Sequence, residues 1–278
     1  VSRQPGQDAD EPIDLGQDVA NIARVYDCLL GGKDNYSADR EFARTLLLEN
    51  KHVERLVRDN RAFLGRAVQF LVQEAGVRQF LDIGSGLPTR ENVHEVAQRS
   101  APECRVVYID HDPLVAVHAR ALLTCTPQGR TAYIHADARE SATILGKASR
   151  AGLDLSQPVG LLFVAILHFF TDAQAVVAPF RDAAAPGSHL LISHGVDRPE
   201  MAGIAAAYQD QLGVGTPRTA QQILDLFGTW ELVQPGMTAL PDWRPADKAP
   251  APDRAAAELG LCGVARKPEP VIGRGCTR

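Results

Sequence analysis

Five short apolar runs between residues 78 and 193, separated by segments of helical period, constrain this chain more than any other feature. They are 78–83 (RQFLDI), 105–110 (RVVYID), 131–136 (TAYIHA), 159–165 (VGLLFVA) and 188–193 (SHLLIS). Short apolar runs bounded by turns read as strands, and strands that alternate with helices need crossover connections. Such crossovers are right-handed and set the strands parallel, with helices on both faces. The expectation is an α/β fold with a doubly wound, mostly parallel sheet. Two further runs, 229–234 (TWELVQ) and 260–266 (GLCGVAR), read as a late strand pair across a linker rich in Pro and Asp.

Ahead of the first run, residues 19–75 carry helical spacing. One helix holds Ile22, Val25, Tyr26, Leu29 and Leu30 and stops at Gly31-Gly32, where a left-handed conformation can end it. Ser37 is the expected N-cap of a second helix, with Asp39 in its first turn near the positive dipole end. A third carries Phe63, Leu64, Ala67, Val68, Phe70 and Leu71 and ends near Gly76. Residues 198–227 return to helical spacing. The expected organisation is a mobile polar tail (1–18), an N-terminal helical lid (19–75), an α/β cofactor domain (76–267) and a loose end (268–278).

Bulk composition narrows the function classes. The chain has 278 residues, 45% of them hydrophobic, which suits an ordinary soluble core. A net charge of -5 and a pI of about 5.9 leave no basic footprint for nucleic acid. The cysteines, at 28, 104, 125, 262 and 276, form no C-x-x-C pair and read as reduced thiols rather than a zinc site or disulfide framework. The N-terminal stretch lacks the apolar centre of a signal peptide, and no run approaches membrane-spanning length. A cytoplasmic protein without nucleic-acid, membrane or metal partners is expected.

The triplet Gly31-Gly32-Lys33 invites a phosphate-loop reading, which fails. Asp34 stands where a metal-binding hydroxyl is needed, and a helix rather than a strand precedes the glycines. The nucleotide signal lies later, where the first strand runs into Gly84-Ser85-Gly86. In a doubly wound sheet the ligand sits beyond the carboxyl ends of the strands, where their order reverses. Gly84 and Gly86 permit a tight turn and close backbone approach. Alone this is a common glycine turn. The second strand, however, ends in Asp110, suited to ribose hydroxyls, and the third in Asp137, suited to an adenine amino group. For a dinucleotide the third glycine of G-x-G-x-x-G is missing, since Thr89 takes its place, and Pro88 removes a backbone donor. Asp82, just before the turn, suits an ammonium group. S-adenosylmethionine, which has ribose, adenine and ammonium but no phosphate, fits better than NAD.

The stretches LDIGSGLPT, YIDHDP and HADAR, with the late strand pair, resemble class I S-adenosylmethionine-dependent methyltransferases. More narrowly, RVYDCLLGGKDNYSADR with VAILHFF and PGSHLLISHG resembles an actinobacterial family of methyltransferases, over residues 20–267. The resemblance implies that Gly84, Ser85 and Gly86 line the methionine end, Asp110 the ribose with His111 beside it, and Asp137 and the Ala138 backbone the adenine. One departure is Pro158-Val159-Gly160, where many such enzymes begin the fourth strand with an acid. From the lid, Arg24 or Lys33 is expected to meet the methionine carboxylate, with Asn35 and Tyr36 ordering the loop and Tyr26 contributing from the first helix. The blander alternative makes Arg24, Asp27 and Arg40 members of ordinary ion pairs.

Methyl transfer from a sulfonium asks the protein mainly to align the acceptor and exclude water, with a base where a hydroxyl must lose its proton. His168 and His194, after the fourth and fifth strands, are the candidate bases, whereas His94, His111, His118 and His135 read as helix or strand residues without chemistry. The fourth strand lacks an Asn-Pro-Pro-Tyr ending and no Pro-Cys pair occurs, so nucleobase methylation is not expected. The expected acceptor is a small molecule, with Met201, Tyr208 and Gln211 in a helix closing over it. A nicotinamide-dependent oxidoreductase and a non-catalytic adenosyl-cofactor-binding protein are the alternatives.

Overall fold

The protein was studied as a computed structural model that describes residues 16–89, 91–122 and 125–270. Most of the expected N-terminal tail and of the loose C-terminal end lies outside the described residues. Three helices come first: α1 (Ile22–Leu29), α2 (Ser37–Glu49) and α3 (Val53–Gln73). The parallel strands β1 (Gln79–Ile83), β2 (Arg105–Asp110), β3 (Arg130–His135), β4 (Gly160–Val164) and β5 (His189–Gly195) follow. Between them run α4 (Val93–Ser100), α5 (Pro113–Leu122), α6 (Ser141–Arg150) and α7 (Ala173–Ala183). The chain ends with α8 (Pro199–Leu212), α9 (Ala220–Asp225), β6 (Glu231–Leu232), β7 (Thr238–Ala239), α10 (Arg254–Ala257) and β8 (Gly260–Arg266).

The sheet order is β3-β2-β1-β4-β5-β8-β6, with β7 also paired to β8. β1 to β5 are parallel, whereas β8 runs antiparallel to β5, β6 and β7. This is the expected doubly wound, mostly parallel sheet. Strand order reverses between β1 and β4, so their carboxyl ends open a crevice there. Strand β7 went unread because it is only two residues long and sits in the polar linker.

Both sheet faces are covered. One carries α6 and α7 over Leu81, Ile109, Leu161, Phe163 and Ile192. The other carries α3 and α4 over Phe80, Val106, Leu162, Leu191 and Val264. The long helix α3 therefore belongs largely to the sheet sandwich, not to a separate lid. Its apolar stripe is long enough to reach the sheet with Phe63, Ala67 and Leu71 while Val53 and Val57 remain with the cap. The cap proper packs α1 and α2 against α8 through Val25, Leu29, Phe42, Leu46 and Ile204. Residues 198–227 are two helices, not one, because Gly213 turns left-handed at the end of α8 (φ 65°) and Gly215 follows with φ 120°.

The Pro158-Val159-Gly160 start of β4 has its own anchor. The Gln79 side chain donates to the carbonyls of Asp154, Gln157 and Pro158, and Ser188 Oγ accepts from Val159 N. A Cβ at Gly160 would stand 2.7 Å from the Phe80 ring, so the glycine lets β4 close on β1. Among the described residues no helix is long and apolar enough to cross a membrane.

Candidate functional site

Two cavities meet at the carboxyl ends of β1, β4 and β5. The outer one, about 310 Å³, is lined by Asp82, Gly84, Ser85, Gly86, Asp110, His111, Asp137 and Ala138 from the sheet, and by Tyr26 and Arg61 from the helices. The inner one, about 120 Å³, is lined by Tyr26, Asn60, His168, Ser193, His194, Tyr208 and a largely apolar remainder. Ile22, Tyr26, Asn60, Ala165 and Phe169 border both, so the cavities adjoin.

The outer cleft is built on the turn after β1. Gly84 N and Ser85 N both donate to Ile109 O, folding the turn onto the end of β2. Gly84 (φ 72°) and Gly86 (φ 64°) are left-handed, and a Cβ on Gly84 would overlap the Ile166 side chain. Asp110 is buried and accepts Gly86 N at 2.8 Å on one oxygen and Asp112 N at 3.0 Å on the other. Each carboxylate oxygen accepts more than one hydrogen bond, so both keep capacity for a pair of vicinal hydroxyls. Burial raises its pKa against the pull of those backbone donors. Asp137 is held by Arg139 through Nε (2.9 Å) and Nη2 (2.5 Å), and that partner keeps its carboxyl below the usual range. Asp82 is buried at the floor of the turn, and burial pushes it up to about 7. Arg61 opposes that rise while Asp110 adds to it, and no hydrogen bond contributes. A buried carboxyl of this kind is suited to a cationic partner.

One directional chain of hydrogen bonds runs along the wall of the inner cavity. Ala165 N donates to Ser193 Oγ (2.9 Å), Ser193 Oγ to Asn60 Oδ1 (2.6 Å), Asn60 Nδ2 to Tyr26 Oη (2.8 Å) and Tyr26 Oη to Val57 O (3.4 Å). Ala165 holds a positive φ of 54° at the junction of the cavities. Such strain persists only where surrounding contacts enforce it, and it clusters at functional sites. His194 Nδ1 donates to Gly195 O at 2.6 Å, which leaves Nε2 to accept from Arg218 Nη1 at 3.1 Å. Arg218 also donates to the carbonyls of Leu167, Phe170, Thr171 and Thr216. His168 lies edge-on to His194, with ring centroids 5.2 Å apart, and no described residue bonds its enclosed Nδ1. Burial, with His194 and Arg218 nearby, holds the His168 pKa well below its usual value, and burial lowers His194 to about 4.

The structure brings together the expected residues of the sheet and Tyr26, but three residues of the lid stand apart from both cavities. Arg24 is buried against Asp39 at 2.9 Å and donates to Gly16 O and Val19 O. Lys33 is exposed. Asn35 Nδ2 donates to Asp27 Oδ2 and Gly32 O, while its Oδ1 accepts from Arg40. Asp27 Oδ2 also accepts Asp34 N at 2.9 Å, and a Cβ at Gly32 would overlap the Asp27 carboxylate. The polar stretch after the glycines thus caps α1 and ties it to α2. Charged and amide groups crowded at a helix end satisfy backbone donors before they reach a ligand. Gln211 is exposed on α8, while Met201 and Tyr208 line the inner cavity.

Asn60, Arg61, Ser193 and Arg218 were not singled out by sequence. For Asn60 a signal existed: it falls on the apolar stripe of α3, three residues from Val57 and Phe63, where a buried amide needs a reason. Arg218 had none, because its partners are carbonyls brought together by folding.

Several findings from known proteins bear on this geometry. A family model described as S-adenosyl methyltransferase matches residues 7–268. A candidate methyltransferase from Thermobifida fusca is 42% identical, with a TM-score of 0.87, over 94% of this chain and 100% of that one. A DUF574 family protein from Streptomyces avermitilis is 39% identical, with a TM-score of 0.88, over 92% of this chain and 100% of that one. No curated protein sequence matches. An S-adenosylmethionine-dependent enzyme accounts for the cleft of glycines and acids better than the nicotinamide alternative, whose third glycine the turn lacks. From its first helix to its last strand, the chain belongs to the S-adenosyl methyltransferase family.

Proposed function

We propose that this methyltransferase acts on a small, mostly apolar molecule held in the inner cavity, with S-adenosylmethionine in the outer cleft. The observation that carries this reading is the shared border of the two cavities at Tyr26, Ala165 and Phe169, where donor and acceptor ends would meet. The residues present fit the cofactor. The left-handed glycines bare the backbone at the methionine end, Asp82 meets the ammonium, Arg61 the carboxylate, and Asp110 the ribose hydroxyls beside His111. Asp137 and the Ala138 backbone face the adenine.

When bound, the cofactor supplies an electrophilic methyl group on a cationic sulfur. The chain supplies alignment and a dry surround. Ile22 and Phe169 flank the passage between cavities, and the hydrogen-bond chain from Ala165 to Val57 holds Tyr26 and Asn60 in one arrangement there. Fixed polar groups and excluded water are what an in-line displacement requires of its enzyme. Arg24, Lys33 and Asn35 shape the cap in this reading and do not touch the cofactor.

The test is isothermal titration with S-adenosylmethionine, S-adenosylhomocysteine and NAD on wild type and Asp110→Ala. Binding of the two sulfur ligands in the micromolar range, weakened at least a hundredfold by the substitution, is expected. NAD binding without either sulfur ligand would overturn the proposal.

A further inference from the structure

Helix α8 lays one stripe along the inner cavity: Met201, Ile204, Ala205 and Tyr208, at the spacing of a single helix face. Tyr208 carries the only hydroxyl of that stripe. Its ring is held from two sides, edge-on to Phe42 of α2 at 5.1 Å and tilted against Phe169 at 5.3 Å between centroids. Phe169 borders both cavities, as does Tyr26, whose phenol is close enough to Tyr208 to act on its ionisation. The Tyr208 hydroxyl therefore lies near the passage from one cavity to the other.

That hydroxyl is deep yet unengaged. Burial raises the Tyr208 pKa, Tyr26 adds to the rise, and no hydrogen bond contributes. Nor does its oxygen belong to the sealed polar atoms without a described partner, as His168 Nδ1 does. A deep oxygen that is neither bonded nor sealed opens on the cavity that its ring lines. The polar side chains beside it are already spent, since Tyr26, Asn60 and Ser193 are bonded to one another. A buried phenol ordinarily finds a hydrogen-bond partner, and one left without calls for a reason.

We infer that Tyr208 is a specificity-determining residue of the methyl transfer, its O–H donating to an uncharged ring nitrogen or carbonyl oxygen of the molecule that receives the methyl group. The inference rests on the reading above that the inner cavity holds that molecule. A phenol O–H is a better donor than its oxygen is an acceptor, and burial keeps this one protonated through the working pH range. Among the described residues lining the cavity there is no Asp, Glu, Lys or Arg, so the contact joins neutral groups. It reaches the bound molecule from the cap, to which Tyr208 belongs, while Ser193 and His194 line the cavity from β5. Two aromatic neighbours fix the direction of the ring, which makes its hydroxyl a selective contact rather than an adaptable one.

The experiment uses two probes of one shape. Pyridine, uncharged at pH 8, and benzene differ by a single ring nitrogen that accepts a hydrogen bond. Both suit a cavity of about 120 Å³, near the roughly 150 Å³ in which an apolar protein cavity holds benzene. Each is titrated into wild type saturated with S-adenosylhomocysteine, and ligand-observed NMR gives the ratio of pyridine to benzene affinity. Tyr208→Phe should lower that ratio about threefold to tenfold, the worth of one neutral hydrogen bond, and leave S-adenosylhomocysteine binding within about twofold. The variant's melting temperature should hold or rise, because the removed oxygen has no partner in the free protein. Loss of a structural hydrogen bond would instead lower it by roughly 2–4 °C, and a fall of that size overturns the inference. So does a ratio unchanged in Tyr208→Phe, and a fall in Thr216→Val or His168→Phe would then give the contact to that other group of the lining. Wild type that binds S-adenosylhomocysteine but neither probe would break the reading of the inner cavity, and the inference with it. Failure to bind S-adenosylhomocysteine would break the reading of the cofactor cleft.

Discussion

In the proposed site, Asp82 is the side chain that links cofactor binding to pH. Burial lifts its pKa to about 7, so ligand-free protein near neutrality holds a proton there that the unfolded chain has lost. The sign follows. Stability contributed at this site declines as pH rises from the unfolded value toward 7, then levels. A bound ammonium favours the carboxylate and pulls the pKa down, so binding expels the proton. Titrating S-adenosylhomocysteine at pH 6.5 in buffers of different ionisation enthalpy should show release approaching one proton, vanishing by pH 8.5. Affinity should climb by up to about tenfold per unit below pH 7 and flatten above it. Asp82→Asn should abolish the release, weaken binding, and raise the melting temperature of the free protein at pH 8. Buffer-independent heats at pH 6.5 would remove Asp82 from the ammonium site. Its place at the carboxyl end of β1 was legible because a strand end next to a glycine turn is local geometry. That both ring nitrogens of His194 would be occupied was not, since Arg218 reaches it only in the folded chain.

Among the elements, the cap has a hydrophobic cluster of its own, apart from those on the two sheet faces. Helices α1 and α2 are pinned by Arg24 and Asp39, whose side chains are 3% and 0% exposed, and Asp39 also accepts Asn21 N and Tyr36 N at 2.8 Å. Removing one partner of a buried pair strands the other charge and costs about 3–5 kcal/mol. Arg24→Ala should therefore raise amide exchange in α1 and α2 by roughly a hundredfold or more, and leave β4 and β5 protected. It should also weaken cofactor binding, because α1 carries Ile22 and Tyr26 to the cleft. Equal loss of protection in cap and sheet would show one cooperative unit instead. The helix stop at Gly31-Gly32 was readable from the two glycines. That Asn35 would bond Asp27 at the end of α1 was not, because the two meet only once the turn has formed. Likewise, the periodicity of α3 announced a buried stripe without saying which layer it would join.

For the whole molecule, the cleft between cap and sheet makes stability depend on ligand. S-adenosylhomocysteine at a hundredfold its dissociation constant should add about 2.7 kcal/mol. That corresponds to a rise of roughly 5–10 °C in melting temperature for a chain of this size. Asp110→Ala should lose most of the rise, and an unchanged shift in that variant would separate ribose binding from Asp110. By itself the sequence determined the mostly parallel sheet, its late strand pair and the glycine and acids at the strand ends. These follow from period, run length and turn chemistry, which act between near neighbours. Only the tertiary structure decided that Asn60 and Ser193, 133 residues apart, would bond at the seam of two cavities. It also decided that Arg218 would reach His194 and that Arg24 would turn inward to Asp39. Those choices are made by packing between distant segments, where burial forces each polar group to find a partner that no local pattern names.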